Sequence, residues 1–146
     1  MIHHPHVRLN NPRDSVSAQL VTLPTLRTFR RYYKQMAEIE PDTRAMAACF
    51  YWTEPDGTFT VNLMFHRAIP TEDRLKLAVH EAHHAAQFLW RHLRRRRLFK
   101  GLDADEYLAY TVSALVPLAM HMFKGKQPGG RMLNEAMHTM SLGTPR

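Results

Sequence analysis

Residues 71–99, TEDRLKLAVHEAHHAAQFLWRHLRRRRLF, carry apolar side chains at helical steps and, within them, the string His80-Glu81-Ala82-His83-His84. Pro70-Thr71-Glu72-Asp73 predicts the helix start, with Thr71 as N-cap and two acids where the helix dipole favours negative charge. Gly101 predicts the stop, after about Phe99. With Leu75 at zero and an advance of about 100° per residue, Val79, Ala82, Ala86, Leu89 and Leu93 fall within about 40° of it, which predicts the core stripe. His80 and His84 fall near ~140° and ~180°, with Leu77 and Phe88 beside them. The back of the helix is thus apolar around the histidines and is expected to be covered, not bare. His83, near ~80°, reads as a boundary or core residue.

Upstream, residues 1–14 read as an irregular arm, in which His3, His4 and His6 belong to a flexible terminus. Val16 to Leu23 alternates as a strand, and Thr25 to Glu40 has helical spacing up to Pro41. Met46–Thr53 and Thr58–Phe65 flank Glu54-Pro55-Asp56-Gly57, which predicts a hairpin. In its second arm Phe59, Val61, Leu63 and Phe65 share one face, expected to meet the core. Downstream, Asp103 opens a helix to about Phe123, with a bend expected at Pro117. Residues 124–130 read as a loop, and residues 131–143, with Met132, Leu133, Ala136, Met137 and Met140, as a short amphipathic helix. The expected fold class is α+β, a single domain over 1–146, with a small antiparallel sheet on two long helices and a metal between them.

A chain of 146 residues has room for one core and excludes a multidomain enzyme. Its net charge of +7 favours acidic partners. Cys49 is the lone cysteine. Among Ala47, Ala48, Phe50 and Tyr51 it is expected to be a buried, inert thiol of a reducing compartment, with cytoplasmic location the default. The N-terminal residues lack the apolar run of a signal peptide, and Leu108 to Phe123 is shorter than a membrane span, so neither export nor membrane insertion is expected.

His80 and His84 satisfy H-E-x-x-H. Residues four apart on a helix lie about 40° apart around the axis and about 6 Å along it, so both imidazoles can meet one zinc ion while Glu81 addresses its water. A third protein ligand is needed. Gln87 and Trp90 stand where the metzincin extension requires Gly and His, which excludes that branch. Glu106 is the candidate, on a strip shared with Tyr110, Ser113 and Pro117 that is expected to face the metal. Asp103-x-x-Glu106 also has the form of a capping box, with Asp103 as N-cap, and both readings of Glu106 fit the letters. Tyr110 could donate to a developing oxyanion or simply pack with its hydroxyl at the surface. Two histidines, a carboxylate and water suit one Zn2+ per chain best.

On these residues the chain resembles the zincin metallopeptidases, in particular the gluzincin pattern of H-E-x-x-H on one helix and Glu on the next, and the minimal zincin-like proteins of phages and bacteria. The resemblance covers roughly residues 58–123. It implies that Thr58 to Phe65 is the edge strand above a cleft along which an extended peptide could add. It implies zinc held by His80, His84 and Glu106, with Glu81 as general base in hydrolysis of a peptide or related amide bond. Tyr107 and Tyr110 stand where thermolysin-type members carry Asn and Asp, so any carboxylate that orients a ligand comes from elsewhere.

Arg91, Arg94, Arg95, Arg96, Arg97 and Lys100 crowd the end of the same helix. One reading is a solvated terminus whose cations suit the dipole. The other notes that Arg91 and Arg95 share the histidine face and would hold an acidic substrate or a phosphate backbone near the metal. The rival function is accordingly a basic, non-catalytic module that binds nucleic acid or an acidic protein, with zinc structural or absent.

Overall fold

The computed structural model describes residues 6–39, 45–96 and 103–142. Its elements are β1 (His6–Asn11), β2 (Val16–Leu23), α1 (Leu26–Ala37), β3 (Ala47–Thr53), β4 (Phe59–His66), α2 (Thr71–Arg95), α3 (Ala104–Phe123) and α4 (Gly130–Leu142). This is the expected α+β class. Among the described residues no helix is long and apolar enough to cross a membrane.

The strands lie in the order β1-β2-β4-β3. The hairpin forms as expected, β3 antiparallel to β4, but β2 and β4 run parallel, so the sheet is mixed and not antiparallel throughout. The cause is the route: after α1 the chain enters the sheet at the far edge as β3, opposite in direction to β2, and the hairpin then brings it back between them as β4, which therefore runs with β2. Part of the supposed irregular arm is a strand, β1, antiparallel to β2. Its Val7 and Leu9 are buried while His6 and Asn10 are exposed, a period-two pattern that the neighbouring prolines and asparagines mask in the sequence. Arg8 clamps this strand to the hairpin, its Nη1 donating to Glu54 Oε1 at 3.0 Å while Thr60 Oγ1 donates to Glu54 Oε2 at 3.0 Å. The Arg8 hydrogen bond is the main reason the Glu54 carboxyl titrates below its usual range.

β4 is buried at all eight positions because both its faces are covered. Val61, Leu63 and Phe65 meet the core built with α2 and α3, and Met64 faces a smaller core with Val21, Leu23 and Phe29. β4 is therefore an inner strand, not the edge strand over the cleft; that edge is β3.

α2 starts at Thr71, but Pro70 is the N-cap and no side chain bonds the cap; Asp73 N–H instead donates to the Pro70 carbonyl at 2.9 Å. The buried residues of α2 are Ala78, Glu81, Ala82, Ala85, Ala86, Leu89 and Leu93, while Leu75 and Val79 are 55% and 42% exposed. The core stripe is thus turned by roughly 40° from the one centred on Leu75, towards Ala85 and Glu81. Alanines without long side chains let α2 approach its neighbours there, and that proximity outweighs the greater hydrophobicity of Leu75 and Val79. The same turn leaves His83 exposed, not in a boundary or core position.

α3 is capped as expected: Asp103 Oδ1 accepts from the Glu106 N–H at 2.8 Å, and the helix continues through an exposed Pro117 to Phe123. Asp103→Ala should cost about 1 kcal/mol, seen as a lower melting temperature, with Asp103→Asn close to the parent.

Candidate active site

α2 rests on β3 and β4, whereas α3 lies along α2 and meets the sheet at β2. The face of α2 turned away from α3 therefore borders the free edge of the sheet. On it His80 Nε2 and His84 Nε2 stand 3.1 Å apart, with the rings nearly perpendicular at 82°. Glu81 Oε1 lies 4.0 Å from His80 Nε2. Between these residues and the start of β3 runs a groove of about 360 Å³, bordered by Ala45, Met46 and Ala47 on one side and Leu77, His80 and Glu81 on the other. Small residues at the head of β3 leave this space open.

Glu81 is 6% exposed, and burial pushes its carboxyl up to about 7. A glutamate on a solvated helix face would not behave so; this one is set at the margin of the core stripe. Burial, then the nearby His80 and His83, lowers the pKa of His84, which favours the neutral ring and an available nitrogen lone pair. Cys49 is half-buried on β3, not fully buried as expected, and its thiol is pushed well up by burial and then by Glu81, so it stays protonated.

The structure does not bring Glu106 or Tyr110 to the histidines. Tyr107 packs on Trp90, with ring centroids 5.6 Å apart. That turn of α3 is consequently level with a part of α2 six residues, or about 9 Å, beyond His84. Glu106, Tyr110, Ser113 and Pro117 form the exposed side of α3, because Tyr107, Thr111, Ala114, Leu115 and Leu118 fill the core from the other side. The polar strip expected to meet the metal faces solvent, and the cleft lies between α2 and β3, not between the two long helices.

Two nitrogens each about 2.0–2.1 Å from a tetrahedral zinc are separated by roughly 3.3 Å, close to the separation of His80 and His84. The pair therefore fits two corners of such an ion. Among the described residues no three His, Cys, Asp or Glu side chains are gathered to hold a metal, so a complete protein ligand set is not assembled. The chain matches no protein-family model, no curated protein and no solved structure.

Further along the same face, His84 stacks towards Phe88 with centroids 6.3 Å apart, and Phe88 meets Tyr51 of β3 at 4.7 Å. Beyond them Arg91 and Arg95 are both exposed beside a second hollow, while Arg96 Nη1 is engaged with the Asp14 carbonyl at 3.0 Å. Arg94 is exposed; Arg97 and Lys100, like His3 and His4, lie outside the described residues. Sequence reasoning overlooked Tyr51 and His92. The signal was available: on β3 the two-residue period puts Ala47, Cys49 and Tyr51 on one face, and on α2 Phe88 and His92 follow His84 at steps of four.

Proposed function

We propose that this protein is a zinc-dependent hydrolase of peptide or related amide bonds, with His80 and His84 holding the ion and Glu81 acting as general base. The observation that carries the reading is a convergent histidine pair beside a buried glutamate, opening on a groove at a sheet edge. A bound zinc ion would supply Lewis acidity and an acidified water. Glu81, its carboxyl near neutrality, suits taking a proton from the attacking water and returning it to the leaving amine. Met46, Leu77 and the small residues of β3 shape the groove. A cytoplasmic site of action is part of the same proposal, resting on the single protonated thiol.

Elemental analysis of untagged protein beside His80→Ala tests the metal. About one zinc per chain in the parent and almost none in the variant is expected. No zinc in the parent after loading would overturn the reading and favour the basic binding module, recognised by steeply salt-dependent nucleic-acid binding that a chelator leaves unchanged.

A further inference from the structure

The end of the cleft beyond the histidines is built differently from its start. A cavity of about 100 Å³ lies between α2 and the hairpin, with Tyr51, Phe59 and Phe88 as apolar walls and Arg91, His92 and Arg95 as its polar side. The His92 ring stacks flat on Phe59, with centroids 4.2 Å apart and planes within 5°. Its Nε2 is buried with no hydrogen-bond partner among the described residues. Neither arginine has an acidic partner among the described residues. Two exposed guanidiniums on one side of a small hollow, with no carboxylate beside them among the described residues, make a site short of negative charge.

Position gives the hollow a meaning. Ala47 borders the groove at His80, and Tyr51 walls the arginine cavity, both on β3, whose outer edge pairs with no strand among the described residues. A chain added along this edge keeps the register of β3, so the two places are four residues apart and accept side chains from the same face of the added strand. The helix agrees: Phe88, which meets Tyr51, lies eight residues or about 12 Å beyond His80, the reach of about four extended residues.

We propose that Arg91 and Arg95 form a specificity pocket for an acidic side chain of an extended peptide, four residues from the residue seated at the histidine groove. This rests on the hydrolase reading for the meaning of the groove, but not for the pocket itself. A small, aromatic-walled hollow beside a strand edge suits one carboxylate on a peptide; a nucleic-acid backbone calls for a stripe of phosphate contacts.

The test is a positional-scanning library of blocked decapeptides, each position fixed in turn as Glu or Gln. It is applied in two ways to the full chain: retention by immobilised, chelator-treated protein, and cleavage by the zinc-loaded protein. A preference for Glu over Gln at one position, reduced about ten- to hundredfold in Arg91→Gln/Arg95→Gln while melting temperature is unchanged, supports the pocket. In cleaved peptides that Glu should lie about four residues from the cut. Retention with Glu preference but no cleavage keeps the pocket and removes the hydrolase. Cleavage indifferent to Glu keeps the hydrolase and removes the pocket. No retention of any peptide, equal retention of Glu and Gln peptides, or a preference that survives the double variant overturns the proposal. Loss of duplex DNA binding in the double variant without any peptide preference overturns it in favour of a nucleic-acid partner.

Discussion

Glu81→Gln should be inert in hydrolysis, retain its zinc, and be more stable than the parent when both are stripped of metal at pH 8. The first two effects follow from the role proposed for the carboxylate: the amide is isosteric and leaves His80 and His84 in place, but accepts no proton. The third follows from burial. Desolvation raises the carboxyl to about 7, against an unfolded value near 4.5. Between those values the folded chain holds a proton that the unfolded chain has released, so stability is complete below about pH 4.5 and declines as pH rises through 7. A rise from 4.5 to about 7 corresponds to roughly 3 kcal/mol, a large share of a small domain's stability. Glu81→Gln removes this titration. Denaturant melts of the metal-free pair at pH 4.5 and pH 8 check it: the two proteins should converge at the lower pH and separate at the higher. Equal stability at pH 8 would mean that Glu81 is better solvated than its burial indicates.

The proposed role of Glu81 as general base would account for such a cost, and the sequence disclosed the site only in part. H-E-x-x-H fixes two imidazoles on one side of any helix, so the meeting of His80 and His84 was legible from spacing alone. The reading of Glu106 as a third ligand had no such support. It required α3 to lie on the histidine side of α2, whereas α3 packs on the opposite side, and nothing local in either helix records that choice. The core stripe of α2 was also only partly legible. Leu75 and Val79 pull a stripe defined by hydrophobicity towards themselves, while Ala78, Ala82 and Ala85 are what the close approach of α2 selects. The edge strand was misassigned for a similar reason. The hairpin was plain in Glu54-Pro55-Asp56-Gly57, but which arm is internal depends on the parallel pairing of β2 with β4, a contact between segments some forty residues apart. The run FTVNLMFH held one hint, Met64, an apolar residue on the face that otherwise carries Thr60, Asn62 and His66.

The two sides of the sheet should fail independently, which separates what holds the site from what merely shields the fold. Phe29 is fully buried, but in the smaller core, where α1 packs on Val21, Leu23 and Met64. Phe65 is equally buried on the opposite face, its ring edge-on to Phe123 at 5.0 Å, in the core that also contains Ala78, Ala82 and Ala85 of α2. Truncating either phenylalanine to alanine should cost about 3–5 kcal/mol through lost burial and the cavity left behind. Their effects on the site should differ. Phe65→Ala removes the floor beneath α2 and α3, so zinc content and thermal stability should fall together. Phe29→Ala frees α1, an element that carries none of the site, so its melting temperature should drop while zinc content at 10 °C stays near that of the parent. Helical circular dichroism and elemental analysis on the same samples decide the matter. Equal loss of zinc in both variants would show that α2 is held by the whole sheet and not by the face on which it packs.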